Sequence, residues 1–297
     1  MDRYFILGLL LAWISIGCED VIDVEVPEEE PRLIVDGLIR VDTTQPYLPI
    51  RIKVTETNNF FEEIPVTELE NIVLFVEEVV DGLTMNTGDA ILKEEAPGTG
   101  IYIPDTNYVD ERVPTAVIEN ENILFSLIIR HKGRKYIAQT KYVPAVPVER
   151  LEQGTGTLFE GDETEVLVTF TDDPDADNYY LFDFGYNEFL VTEDEFYQGQ
   201  QFQFSYFYDQ EFEPGKEIAI SIMGADQQFF NYMDLIIEQT EQRFGFFETP
   251  RATVRGNVFD ITGLDNINVL DNTDRPDAFP LGYFAIVQEF RNTLVIQ

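Results

Sequence analysis

The chain has 297 residues with 56 acidic against 19 basic side chains, a net charge of −37, and it carries one histidine and one cysteine. A surface this acidic repels phosphates and anionic lipid headgroups and leaves no basic groove, which excludes nucleic acid partners. A lone cysteine permits neither an internal disulfide nor a thiolate metal site, so the fold must be held by its packed core.

Residues 1–17 read as a signal peptide. An apolar run from Tyr4 to Ile16 follows Arg3, and Gly17 closes it directly before Cys18. A spanning helix needs roughly 20 apolar residues, whereas a secretory signal core needs about 7 to 15 ahead of a small-residue cleavage site. The expectation is a bacterial lipoprotein with acyl chains on Cys18, which would hold it on a membrane and leave the rest of the chain free of it. The alternative is an ordinary secretory signal with Cys18 as a free thiol; Ser15 stands where a lipoprotein signal usually has an aliphatic residue.

Residues 18–31 form an acidic tether, with Glu28, Glu29 and Glu30 set between Pro27 and Pro31. Residues 32–143 then alternate: Ile50, Ile52 and Val54 on one face oppose Arg51, Lys53 and Thr55 on the other, which predicts strands with one solvated face. Ile72–Val80, Ile101–Ile103, Ile123–Arg130 and Tyr136–Thr140 continue the pattern, and Gly133 supplies the positive φ of a hairpin turn. An antiparallel sandwich, Ig-like or transthyretin-like, is the expected fold of this half. Two prolines, Pro144 and Pro147, mark 144–150 as a linker between domains, although continuation of one larger sandwich is the alternative.

Residues 151–297 repeat the strand pattern with more aromatics. Val166, Val168 and Phe170 alternate, as do Phe202, Phe204, Tyr206 and Tyr208, and Ile218, Ile220 and Ile222. One segment has a helical period: Asp226 can cap a helix over 226–242 with Phe229, Met233, Ile236 and Ile237 on one side. Gly282–Val287 reads as a closing strand, paired with Thr293–Ile296. The fold class is therefore all-β, a sandwich followed by a second β-rich domain with one amphipathic helix.

Candidate chemistry is sparse. After residue 17 the serines are Ser126, Ser205 and Ser221, each inside a predicted strand, and His131 falls in a predicted turn, so no nucleophile–base pair forms in sequence. Asp173, Asp175 and Asp177 alternate like the opening of a calcium loop, but the glycine and closing glutamate positions hold Asn178 and Phe184. Asp, Pro and Asn also build a plain turn, and that is the favoured reading, with no metal and no cofactor. A second acidic loop spans Asp271–Asp277. Acidic residues are spread along the whole chain, which favours general surface hydration over a dedicated cation site. The rings of Phe202, Phe204, Tyr206 and Tyr208, with Phe246 and Phe247 after the helix, form either core or a protein-contact face.

Several stretches resemble one family. Cys18–Asp23 followed by Pro31–Ile39, Lys135–Thr140, Asp172–Pro174 with Asn178–Tyr180, Gly256–Val258 and Gly282–Phe284 are similar to landmarks of the Bacteroidetes lipoproteins grouped as domain of unknown function 4249. The resemblance implies a surface lipoprotein of the outer membrane associated with a TonB-dependent receptor, and it brings no catalytic residue. Glu19 and Asp20 also resemble an export signal to the cell surface. The expected role is non-enzymatic: an accessory binding subunit in nutrient uptake. The alternatives are a two-carboxylate hydrolase of the cell envelope and a structural or adhesive sandwich.

Overall fold

In the computed structural model, which describes residues 30–57, 64–108, 112–158, 161, 163–241, 253–264 and 279–297, the alternating runs of the first half are strands. They are β1 (Leu33–Val41), β2 (Ile52–Glu56), β3 (Ile64–Pro65), β4 (Asn71–Val80), β5 (Leu83–Glu94), β6 (Ile101–Pro104), β7 (Ile123–His131), β8 (Arg134–Thr140) and β9 (Tyr142–Val143). The second half contributes β10 (Val148–Gln153), β11 (Thr164–Thr171), β12 (Tyr179–Asp183), β13 (Phe189–Glu193), β14 (Gln201–Tyr208), β15 (Glu217–Ala225), β16 (Val258–Asp260) and β17 (Leu281–Val295). Among the described residues one α-helix occurs, α1 (Gln227–Glu241). It starts where the sequence places it, because the Asp226 carboxylate accepts the Phe229 backbone N–H at 2.7 Å. The all-β class holds, with large antiparallel-rich sheets.

Most strands lie on one path, β13-β12-β15-β17-β1-β2-β6-β5-β4-β7-β8-β16, while β10-β11-β14 form a separate three-stranded sheet. The first core lies inside the curl of β1 to β8, where Val35, Ile52, Leu74, Phe125 and Leu127 are buried together with Phe284 and Ile286 of β17. The second core lies between the three-stranded sheet and one face of β12-β15-β17, and is built from Phe170, Phe182, Phe184, Tyr208 and Ile218, Ile220 and Ile222. On the opposite face of β12-β15-β17, Leu181, Met223, Tyr283 and Val287 pack against Phe229 of α1. Each fully buried phenylalanine contributes about 1.5–3 kcal/mol relative to exposure.

Residues 31–297 form one compact unit, where the proline segment 144–150 predicts a boundary between two domains. That segment does carry the chain from the first core towards the second, and β10 begins within it. What joins the halves is β17. Its first part pairs in parallel with β1, from Ile34 with Leu281 to Val41 with Gln288, and its second part pairs antiparallel with β15, from Met223 with Glu289 to Glu217 with Val295. The expected pairing of 282–287 with 293–296 is therefore corrected. No turn residues interrupt the run, so it stays one long strand that serves both cores.

Candidate functional site

The aromatic strand faces inward. Phe202, Phe204 and Tyr206 pack against the second core and Tyr208 is fully buried within it. Tyr206 stacks on Phe184 at a centroid distance of 3.6 Å, and Tyr208 donates its hydroxyl to the Phe184 carbonyl at 2.7 Å. Three outward positions of β14 are polar: Gln201 and Gln203 donate to Glu149 and Thr169, and Ser205 donates to Glu165. A contact face made of these rings is thus corrected. The three-stranded sheet has one dry side, and period-two alternation sends these four rings to it. Phe246 and Phe247, like the lipid-acceptor candidate Cys18 and the loop Asp271–Asp277, lie outside the described residues.

The aspartate loop is a turn between β11 and β12. Asp173 accepts the Asp175 N–H at 3.0 Å, Asp177 accepts from Gln198 at 3.4 Å, and Asn178 donates to the carbonyls of Asp173 and Ala176. Asp172, buried, accepts the Tyr180 hydroxyl at 2.5 Å and the Gly199 N–H at 2.8 Å. Burial, and then the Asp172 hydrogen bond, push ionisation of the Tyr180 hydroxyl far above its ordinary range. Among the described residues no group of three or more His, Cys, Asp or Glu is placed to hold a metal.

His131 is not a solvated turn residue. It ends β7 in a buried position, and its Nε2 lies 2.9 Å from the Glu56 carboxylate, which Lys132 Nζ also reaches at 2.8 Å. Lys132 and Gly133, both at positive φ, make the tight turn instead. Burial opposes the charge on Glu56, but hydrogen bonds from Lys132 and His131 outweigh it and hold the carboxyl below its ordinary value of 4.5. A carboxyl depressed by folding stabilises the protein above its unfolded value, and this contribution is lost as pH falls through the folded value. Glu56→Gln should therefore melt below wild type at pH 7 and level with it at pH 3, as thermal melts at the two pH values would show. Ser126, meanwhile, donates to Glu77 and accepts from Gln139 at 2.9 Å, with no contact to the histidine.

Two concave features bear on the candidate sites. One is a cleft of about 250 Å³ lined by Arg40, Asp183, Ser221 and Arg291 among others. There the Arg40 guanidinium binds Asp183 at 2.6 Å and Glu289 at 2.6 Å, and Ser221 donates to Glu289. Burial works against the charge of Arg40, yet Glu289 and then Asp183 hold its proton more tightly than usual. Both carboxylates are engaged by one cation. The other feature is a pair of adjoining cavities, about 520 and 420 Å³, that share Ile118, Glu119 and Tyr142. Tyr142 is half-buried, and burial alone pushes its ionisation up to about 12. This pair falls in the size range of small-molecule sites.

The family model described as domain of unknown function (DUF4249) matches residues 19–264. The chain belongs to this DUF4249 family. No curated protein matches it.

Two of the stretches on which the DUF4249 resemblance rests, Gly256–Val258 and Gly282–Phe284, meet at a structural joint. Asn257, buried, accepts the Phe284 N–H at 2.8 Å and donates to the Phe284 carbonyl at 2.7 Å and to the Gln139 carbonyl at 3.2 Å. Its amide thereby takes the place of a neighbouring strand and ties β17 to the end of β8. Gly282 adopts φ +89° beside Val35, and an added Cβ at Gly256 would stand 1.6 Å from the Gly282 carbonyl oxygen. Sequence reading missed both the ion triad of Arg40 and the paired cavities, since their members lie far apart in the chain and no local pattern marks them.

Proposed function

We propose that the protein is a lipid-anchored lipoprotein of the outer membrane, displayed on the cell surface, that works without catalysis as a binding partner of a TonB-dependent receptor in nutrient uptake. The observation that supports a protein-contact role is the β4–β5 hairpin. Asp81 and Gly82, both at positive φ, form its tip. Its base is held by β7, which pairs with β4 as far as Glu78, and by β6, which pairs with β5 only from Leu92 onward. Beyond these strands Val80, Leu83 and Met85 are exposed, Leu83 at 71 %. Among the described residues no strand pairs with the outer edge of β5 from Leu83 to Gly88. Free edges are usually blunted by charge, yet this six-residue run is uncharged in a chain of net charge −37. An uncharged edge that presents Leu83 and Met85 and has no paired strand among the described residues suits addition of a partner strand.

The anchor half of the reading is supported by the sequence around Cys18. A non-catalytic role is supported by the serines, since Ser126, Ser205 and Ser221 each donate to a glutamate, and by His131, which is committed to Glu56. Crosslinking in intact cells followed by purification in mild detergent should recover the protein with a large β-barrel partner. Replacing Leu83 and Met85 by serine should cut that recovery by about fivefold or more without lowering the melting temperature. Cys18→Ala should move the protein to the soluble fraction. Recovery of the protein alone, with a control pair captured in the same cells, refutes the receptor partnership.

A further inference from the structure

We propose that the free edge of β14 is a self-association site, at which a second copy of this chain adds its own β14 antiparallel to the first. The surface is separate from the β4–β5 hairpin, and the inference goes beyond the receptor reading.

The rings of Phe202, Phe204, Tyr206 and Tyr208 point inward, but the backbone edge of β14 is open. β14 ends the three-stranded sheet and pairs with β11 alone among the described residues. In an antiparallel pair, alternate residues turn their N–H and C=O groups toward the partner strand, and the residues between turn theirs away. Two bonds fix which residues do so here. Asp172 N–H donates to the Gln200 carbonyl at 3.1 Å in line with the β11–β14 register, and Gly154 N–H donates to the Glu165 carbonyl at 2.9 Å in line with the β10–β11 register. Both place the backbone groups of Phe202, Phe204, Tyr206 and Tyr208 toward β11. Those of Gln201, Gln203, Ser205 and Phe207 therefore point out of the sheet edge, and among the described residues nothing bonds to them.

This edge lacks the devices that keep strand edges from pairing, which are charge, proline and bulges. β10, the other edge of the same sheet, has Glu149, Arg150 and Glu152 and a register irregularity between Val148 and Arg150. β14 has no charged residue and no proline in its eight positions, and its register with β11 is unbroken. In a chain of net charge −37 a second copy meets like charge over most of the surface. Along β14 it does not.

The same strand selects the occupant. A twofold contact needs a surface that complements itself. Turning a copy about Phe204 pairs Gln201 with Phe207 and Gln203 with Ser205, which engages every outward backbone group from Gln201 to Phe207 on both copies. In that register Phe202 faces Tyr206, Phe204 faces its own counterpart, and no charged residue faces another. Aromatic pairs across strands are stabilising, whereas like charges directly opposite are not. Tyr206 is also a wall of a groove of about 350 Å³ with Phe189 of β13 and Met233, Ile236 and Ile237 of α1, so the ladder adjoins apolar side chains that a second copy can cover. Pairing of the two edges doubles the three-stranded sheet into one continuous sheet.

The test is sedimentation equilibrium of the full chain in mild detergent. The wild type should form a dimer whose association strengthens as salt rises from about 0.05 to about 0.3 M, because screening weakens the repulsion between two acidic copies. Gln203→Pro removes one outward N–H and no bond to β11, a change that an edge strand tolerates, and should weaken dimerisation about tenfold or more. Gln203→Lys combined with Ser205→Lys, both at exposed positions, sets lysines opposite lysines in this register and should do the same; it carries the test should the proline variant melt below wild type. The serine substitutions at Leu83 and Met85 should leave the dimer intact, so self-association and the receptor partnership can fail separately. A wild type that stays monomeric at every salt concentration overturns the proposal, as does a dimer that persists in the double lysine variant or is lost only in the Leu83 and Met85 variant.

Discussion

Gly282→Ala should cost more than about 4 kcal/mol, the range reached by few single substitutions, and abolish cooperative unfolding in urea if the native margin is of ordinary size. Gly282 sits at φ +89°, and an added Cβ would stand 1.9 Å from the Val35 carbonyl oxygen. The left-handed backbone alone costs an ordinary residue about 1–2 kcal/mol. The larger part is the collision, because Val35 and Gly282 are register partners in the parallel pair that joins the first strand to the last. Relieving it means opening the β1–β17 ladder at the point where β17 enters the first core. Gly88→Ala is the matched control: its Cβ would meet nothing within 4 Å, so its melt should overlay wild type. A Gly282→Ala protein that unfolds within about 1 kcal/mol of wild type would show that the ladder can shift there without penalty.

What could be read from the sequence was what short range decides. The Asp226 cap and the apolar side of α1, the tight turn at Lys132–Gly133, and the alternation of β2, β11 and β15 are each written in a window of a dozen residues or fewer. What could not be read depends on contacts between distant segments. The parallel pairing of β1 with β17 brings residue 34 to residue 281, and nothing in Gly282–Val287 distinguishes a strand that turns back on its neighbour from one that crosses to the other end of the chain. The rings of β14 show a second limit. Alternation revealed that Phe202, Phe204, Tyr206 and Tyr208 share a face, but whether that face is dry depends on β12 and β15 lying opposite. His131 shows a third, since Glu56, its partner 75 positions away, is unremarkable by itself. The paired cavities assemble three such segments, near residues 43–46, 115–121 and 141–144. Two of the stretches that carry the family resemblance, Gly256–Val258 and Gly282–Phe284, meet at the Asn257–Phe284 joint, so they inform about architecture and are silent about ligand.

Arg40→Met should destabilise the protein by about 2–4 kcal/mol at pH 7, somewhat below the figure for a fully buried pair because the guanidinium retains partial solvent access. Arg40 stands on the first strand and binds Asp183 of β12 and Glu289 of β17, whose side chains are 17 % and 15 % exposed. Methionine fills much of the same volume but leaves the two carboxylates facing each other without a cation. Each then resists ionisation of the other, so in the variant the folded state holds protons more tightly than the unfolded chain does. A group whose folded affinity for protons is raised contributes stability at low pH that is lost as pH rises. The difference between variant and wild type should therefore be widest near pH 7 and shrink towards pH 3, as acid removes carboxylate charge. Adding Asp183→Asn and Glu289→Gln to Arg40→Met should recover much of the loss at pH 7. Arg51→Met serves as the comparison: its partner is Glu95 at 3.0 Å with side chains 58 % and 43 % exposed, and such surface pairs are worth less than about 1 kcal/mol. Urea melts across pH separate the two causes. A loss for Arg40→Met that is the same at pH 3 and pH 7 would mean that the side chain acts by filling space, and the ionic link between the first strand and the sheet of the second core would have to be abandoned.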